Sequence, residues 1–383
     1  MLQGIRAMRA MVRKDMTITW RNPSLLLLGI IVPVVFVLLY SLITQVSATN
    51  PVVIARESQG PYSQKLISIL TEMSSVDGPY FTVNTTDPRE AKDRYVRGEA
   101  AAMIVIPADF DAELSAGAQG RSRPQVELHV HNLNSDATKN FQLRLDHAAY
   151  LFQQENAPLN LIHVDEAYSR FPRDVSMKLY VSLGLLMFTA IYASMVNTGL
   201  LISREWEERT SKEVILTSVG FLPLIIGKWT TAFVQTMASV LLVLGIMGAT
   251  LDFPLHRMDP VLWFWIFILF LFGGSLGAAL GVWLRKSMPL ITFSAVTGIF
   301  LYLVCGNESS LRGFAYGGPV EVLWRLADMI PVSQAVEHMR RTFLESGSGY
   351  AFEGLLPLLI LSAFFAWLSS YRMKKSLSYS QGQ

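Results

Sequence analysis

Six stretches of about twenty mostly apolar residues dominate this sequence, and they leave its backbone few options. In a bilayer every peptide group must find its hydrogen bond inside the protein, so an unbroken apolar run of that length is a helix. The runs cover residues 24–43, 179–202, 222–250, 261–284, 288–305 and 355–370. At 1.5 Å per residue each reaches across a hydrocarbon core of about 30 Å or comes close to it. With 51% hydrophobic and 16% charged residues in 383, the expected fold class is an α-helical polytopic membrane protein with six transmembrane helices. The section between the first two runs has a soluble composition and is expected to be an inserted extracytoplasmic α/β domain. The division is then 1–23, an interfacial helix; 24–46, the first span; 47–177, the inserted domain; and 178–383, five further spans. The last part carries a cytoplasmic coupling loop at 203–221 and extracytoplasmic helices at 306–350.

A net charge of +2 gives no basic face for nucleic acid, because the Lys and Arg residues cluster beside the apolar runs. That clustering sets orientation. Arg6, Arg9, Arg13, Lys14 and Arg21 precede the first span, and Arg204, Arg209, Lys212, Arg285, Lys286, Arg372, Lys374 and Lys375 fall in alternate connections. Both termini are therefore expected in the cytoplasm. Arg312, Arg325, Arg340 and Arg341 lie on the wrong side of this count, in two amphipathic segments, 319–329 and 332–344, expected to lie on the outer surface. One cysteine, Cys305, excludes an intrachain disulfide. The residues before the first run do not read as an ordinary secretory signal, so that span is expected to be retained. Leu2, Ile5, Met8, Val12 and Met16 recur there every three or four residues, which predicts a helix on the cytoplasmic leaflet with Trp20 near the headgroups.

Residues 50–175 alternate strand and helix patterns. Strands are expected at 51–55, 79–83, 101–106 and 125–131, and helices at 62–73, 88–96, 108–114 and 135–154. His129 and His131 share one strand face, which raises a metal site, with His147 and His163 as further candidate ligands. No HExxH, carboxylate pair or cysteine ligand accompanies them, so a solvated face is the better reading. The Asn84 and Asn307 sequons are glycosylation sites in form only.

The chain has no phosphate-binding loop. The nearest string, 220–228, has the wrong spacing, with Trp229 where a magnesium-binding hydroxyl is required. No catalytic constellation is recognisable by spacing, so neither cofactor nor metal is expected in this chain. The most charged connection follows the second span. Arg204, Arg209 and Lys212 stand there against Glu205, Glu207, Glu208 and Glu213, with Val214, Ile215 and Leu216 behind them. Such a segment either sets topology or docks a soluble partner through a short amphipathic helix.

Here the residues carry a resemblance. Arg204-Glu205-x-Glu207-x-x-Thr210, then Leu216-Thr217, then Gly227-Lys228 resembles the first cytoplasmic loop of ABC export permeases of type two. Lys14-Asp15, Arg21-Asn22-Pro23 and Pro33 are similar to that family's basic-acidic pair, Arg-(Asp/Asn)-Pro and in-span proline. The 105–110 segment resembles the turn of members with a large outer domain, and Ile330-Pro331 with 340–344 resembles the stretch before the last span. Arg209 stands where many members have Gly, Ser218 where many have Pro, and Glu213 falls one place late. The resemblance implies a non-catalytic permease of an exporter. Two separate ATPase subunits would bind ATP and Mg, a second identical or related permease would complete it, and the substrates would be amphiphilic. It also implies a coupling role for Arg204, Glu205, Glu207, Glu208, Thr210, Glu213 and Lys228.

Gly273, Gly277 and Gly281 form a stripe for close helix approach, within the chain or between copies. Asn197, Gln235, Thr292 and Thr297 are candidates for a weakly polar substrate path, or for bonds between helices. With no Asp, Glu or Lys in mid-span, energy from outside the chain is the simpler expectation. Two other readings stay open: a six-span receptor or scaffold presenting the α/β domain without transport, and a metal hydrolase using His129 and His131.

Overall fold

Proline and glycine punctuate the helices where the sequence places them. α1 (Leu2–Arg21) stops at Asn22, whose N–H donates to the Ile18 carbonyl at 2.9 Å, and Pro23 opens α2 (Pro23–Ala48) at a position needing no N–H. The computed structural model describes residues 2–48, 50–75, 78–116, 125–130, 136–156, 176–210, 221–306, 318–344 and 354–378. They form two compact units, Met1–Ser41 with Met177–Gln383, and Leu42–Ser176.

The first unit is helical. After α1 and α2 it holds α7 (Met177–Glu207), α8 (Phe221–Thr250), α9 (Pro260–Leu284), α10 (Ser287–Val304), α11 (Gly318–Asp328), α12 (Pro331–Leu344) and α13 (Leu355–Ser378). Among the described residues six helices, α2, α7, α8, α9, α10 and α13, are long and apolar enough to cross a membrane. α7 is the axis, with every residue from Val181 to Leu200 buried. The glycine stripe explains how α9 approaches it. A Cβ on Gly277 would lie 2.1 Å from the Met195 carbonyl oxygen, and one on Gly281 2.7 Å from that of Gly199. The stripe therefore packs within the chain, and larger residues are excluded by backbone rather than by yielding side chains.

α12 differs from its expected place on the surface. Val332, Ala335, Val336, Met339 and Phe343 join the main apolar core, and Arg340 is 2% exposed. Its Nη1 donates to the Tyr180 hydroxyl at 2.9 Å and the Gly306 carbonyl at 2.6 Å, while its guanidinium stacks on the Tyr180 ring at 3.7 Å. Arg325 pairs with Glu321 and Arg341 with Glu337, each one helical turn apart. Three of the four arginines counted against the orientation rule, Arg325, Arg340 and Arg341, thus have partners within the folded unit. Arg312 lies outside the described residues. α11 exposes Val322, Leu326 and Met329.

The second unit is a four-stranded sheet in the order β4-β1-β5-β6, built from β1 (Asn50–Arg56), β4 (Phe81–Val83), β5 (Ala102–Ile106) and β6 (Glu127–Val130). β1 pairs in parallel with β4 and β5, whereas β6 runs antiparallel. Val52 and Ile54 face one core while Val53 and Ala55 face another, so the central strand is buried on both sides and reads as a continuous apolar run. α3 (Pro61–Glu72), α5 (Phe110–Ala116) and α6 (Asp136–Asn156) supply the larger core, and α4 (Pro88–Val96) supplies Ala91 and Tyr95 to the other. A two-stranded ribbon, β2 (Ser74–Ser75) with β3 (Gly78–Pro79), follows α3.

Candidate functional site

The charged segment after the second span is not all loop. The apolar run stops at Ile202, yet α7 continues to Glu207, because Ser203 and Glu205 remain buried. α1 helps to enclose this end. Met11, Asp15 and Thr19, one turn apart, are its buried residues, and it packs on α8 where Gly227 leaves room: a Cβ there would lie 3.0 Å from that of Met11.

Four charges meet in this corner. Lys228, on α8 and 3% exposed, donates from Nζ to Glu205 Oε1 at 2.7 Å and to the Leu201 carbonyl at 2.8 Å. Lys14 reaches the same carboxylate oxygen at 3.0 Å, and the Thr210 hydroxyl donates to Oε2. Asp15 approaches from α1, its Oδ2 3.5 Å from Lys228 Nζ. That oxygen is buried without a hydrogen-bond partner among the described residues. Burial pushes the Asp15 carboxyl up, the Lys228 ammonium opposes this, and the Glu205 charge adds to the rise. Asp15, Glu205 and Lys228 are buried and Lys14 stands at their exposed rim, so removing Lys228 would leave two buried carboxylates with no buried cation.

Beside the cluster, Thr19 donates to the Asp15 carbonyl at 2.8 Å and accepts from Gln235 Nε2 at 2.7 Å. Glu207 accepts from the Ser287 N–H at 3.2 Å, and also from its hydroxyl, so it caps α10 from the end of α7. Arg204 pairs with Glu208 on the surface. Arg209 closes the helix with φ of 59°, the left-handed region that glycine prefers. Glu213 lies outside the described residues. Arg21, Asn22 and Pro23 form the corner between α1 and α2 and do not enter the cluster. Of the coupling residues, then, Glu205, Thr210 and Lys228 meet, with Lys14 and Asp15 joining them. Glu205 is 4% exposed, so in this conformation its carboxylate faces the protein and not a soluble partner.

The polar path candidates separate. Asn197 donates to Thr236 at 3.3 Å and packs against Gly29 of α2, where a Cβ would sit 2.7 Å from Asn197 Oδ1. Gln235 braces α1, as above. Thr292 is exposed and bonds its own helix at the Met288 carbonyl, and Thr297 is half-buried. Asn197 and Gln235 thus serve helix seams.

In the second unit His129 pairs with Glu127 at 3.1 Å and His147 stacks on Tyr150, while His131 and His163 lie outside the described residues. Open α/β sheets take ligands beyond the carboxyl ends of their strands. Here Asp111 fills that position beyond β1, accepting from the Tyr62 N–H at 2.6 Å and the Ser58 hydroxyl at 2.5 Å. Desolvation opposes it, but these bonds and those from Ser63 hold its carboxyl below the ordinary value.

Sequence reasoning missed Thr19 and the Arg340–Tyr180 contact. The four-residue spacing of Met11, Asp15 and Thr19 was the available signal for the first; nothing local marks the second.

The chain is 24% identical over 276 residues, 70% of each sequence, to the probable multidrug ABC transporter permease YbhS of Escherichia coli K12, and equally to that of strain O157:H7. The model of the ABC-2 family transporter proteins matches residues 23–371, from the first residue of α2 into α13. The chain belongs to the ABC-2 transporter family and is a multi-pass ABC transporter permease.

Proposed function

We propose that this permease serves an ATP-driven exporter that moves an amphiphilic molecule, such as a drug, lipid or lipid-linked compound, out of the cytoplasm or inner leaflet. Two separate ATPase subunits bind ATP and Mg²⁺ on the cytoplasmic face, and a second permease, identical or related, completes the assembly. The setting is a bacterial cytoplasmic membrane with both termini inside. Exposed Trp20, Trp283, Trp367 and Tyr371, near Arg21, Arg285 and Arg372, support that frame as an aromatic belt beside basic residues. The multidrug designation of the Escherichia coli relatives supports the substrate class.

The ion cluster of Asp15, Glu205 and Lys228, buried, with Lys14 at its exposed rim, is the observation that carries the reading. It joins α1, α7 and α8 where the 203–221 segment begins and ends. A push on that segment reaches Glu205 and Lys228 directly, and α1 through Asp15 and Lys14, so α1 and α8 are displaced against α7 through these bonds. Arg204, Glu207, Glu208, Thr210 and Glu213 supply the contact side of the coupling.

Purification of the tagged chain from its native membrane in mild detergent is the test. A stoichiometric ATPase is expected with it, its hydrolysis stimulated by exported amphiphiles. A folded chain that repeatedly arrives alone, with full function, overturns the exporter reading in favour of a receptor or scaffold.

A further inference from the structure

α1 has a second face that the cluster does not use. Counting about 100° per residue, Arg6, Arg9, Arg13 and Trp20 fall in one stripe on the side opposite Met11, Asp15 and Thr19. All four are exposed, Trp20 by 82%. None of the three guanidinium groups has an ion-pair partner among the described residues, and the helix has one acidic residue, Asp15, turned to the other side and buried. Between the buried face and the arginine stripe runs an apolar flank of Ile5, Val12 and Met16, exposed or half-buried.

We infer that this stripe is a binding surface for anionic phospholipid headgroups. The order around the helix, protein-packed face, apolar flank, cationic stripe, matches a helix at the boundary between acyl chains and headgroups. The flank meets the acyl region, Trp20 sits at headgroup level, and the arginines meet phosphate, which guanidinium binds with paired donors. An acidic soluble partner would satisfy the arginines but leave Ile5 and Met16 against water. Because Lys14 and Asp15 on the same helix enter the buried cluster, lipid that seats α1 also sets the position of those charges. The inference rests on the permease reading for its membrane frame and for this last consequence.

The full-length chain in mixed micelles with equal phosphatidylglycerol and phosphatidylcholine, examined by native mass spectrometry, tests it. The wild type is expected to retain phosphatidylglycerol about tenfold over phosphatidylcholine, a preference that falls with added salt. Arg6→Gln with Arg9→Gln and Arg13→Gln should bring the ratio near unity, and lysine at the three positions should restore most of it. An unchanged ratio in the glutamine variant, or a wild-type ratio insensitive to salt, overturns the inference. So does a glutamine variant that keeps the lipid preference but loses a co-purifying ATPase, since the stripe would then face a protein. If neither form brings an ATPase but the glutamine variant alone loses the lipid preference, the exporter reading fails and the lipid surface stands.

Discussion

α7 is held along two sides by opposite means. Toward α9 the contact is backbone on backbone: Gly273, Gly277 and Gly281 sit against the carbonyls of Ile191, Met195 and Gly199, with no room for a methyl group. Toward α8 and α1 it is polar: Asn197 on Thr236, Lys228 on the Leu201 carbonyl, and Lys228 between Glu205 and Asp15. A seam closed by backbone shape has one register, and sliding it costs many contacts at once. A charge with several acceptors can shift weight among them while staying partnered. The expected division of labour is that α7 and α9 move as one body, while α1 and α8 shift against them during coupling.

The polar side should break hardest. Lys228→Met leaves two buried carboxylates with Lys14 alone, and a loss of about 3 kcal/mol is expected, read as a lower melting temperature in detergent. Lys228→Met with Glu205→Gln removes one charge of each sign, so it should recover part of that stability yet leave hydrolysis uncoupled from export. A double variant that exports normally would show that the cluster only holds the fold. On the glycine side, Gly277→Ala is expected to cost about 1–3 kcal/mol by overpacking against the Met195 backbone. Gly245→Ala on α8, with nothing within 4 Å of the new carbon, is the control and should be neutral or stabilising by up to about 1 kcal/mol. Equal effects of the two alanines would refute the rigid seam.

Asp15→Asn separates stability from coupling. Because burial raises this carboxyl in the folded protein, the native state holds its proton to higher pH than the unfolded chain does. Ionisation therefore lowers stability as pH rises from the ordinary value, 3.8, through the raised one. Asparagine removes that dependence and should melt at or slightly above wild type at neutral pH, while export per ATP falls as α1 loses its charge link to Lys228. A clear drop in melting temperature at neutral pH would mean that the ionised carboxylate stabilises the fold.

The two seams were not equally legible from sequence. A period of four in Gly273, Gly277 and Gly281 announces close packing, but the partner depends on tertiary placement, and Gly199 on α7 gave no comparable stripe. The spans were readable because a bilayer imposes length and composition on each one separately. In the inserted unit the short β-rich apolar run of β1 and the Pro88 start of α4 were local signals as well, whereas the strand order was not. The ion cluster joins residues far apart in the chain, Asp15, Glu205 and Lys228. Their motifs marked each as notable, and only the packing of α1 on α8 showed that they share one desolvated corner. Gln235 shows the same limit: of its two readings the bond between helices is the one the geometry contains, yet polarity in a span says that a partner exists and not that it is Thr19.

Arg209 offers the gentlest probe, because it changes the end of α7 without touching either seam. Its φ of 59° places a residue with a Cβ in the left-handed region, which costs about 1–2 kcal/mol relative to a right-handed one, and glycine is free of that cost. The greater freedom of glycine in the unfolded chain returns part of the gain, so Arg209→Gly should stabilise the protein by about 1 kcal/mol or less. The side chain is exposed, and neighbouring Thr210 keeps its bond to Glu205, so the ratio of export to hydrolysis should not change. If the variant melts higher but exports less per ATP, the strained turn itself takes part in transmitting motion into the ion cluster, and the polar seam extends one residue further than its charges.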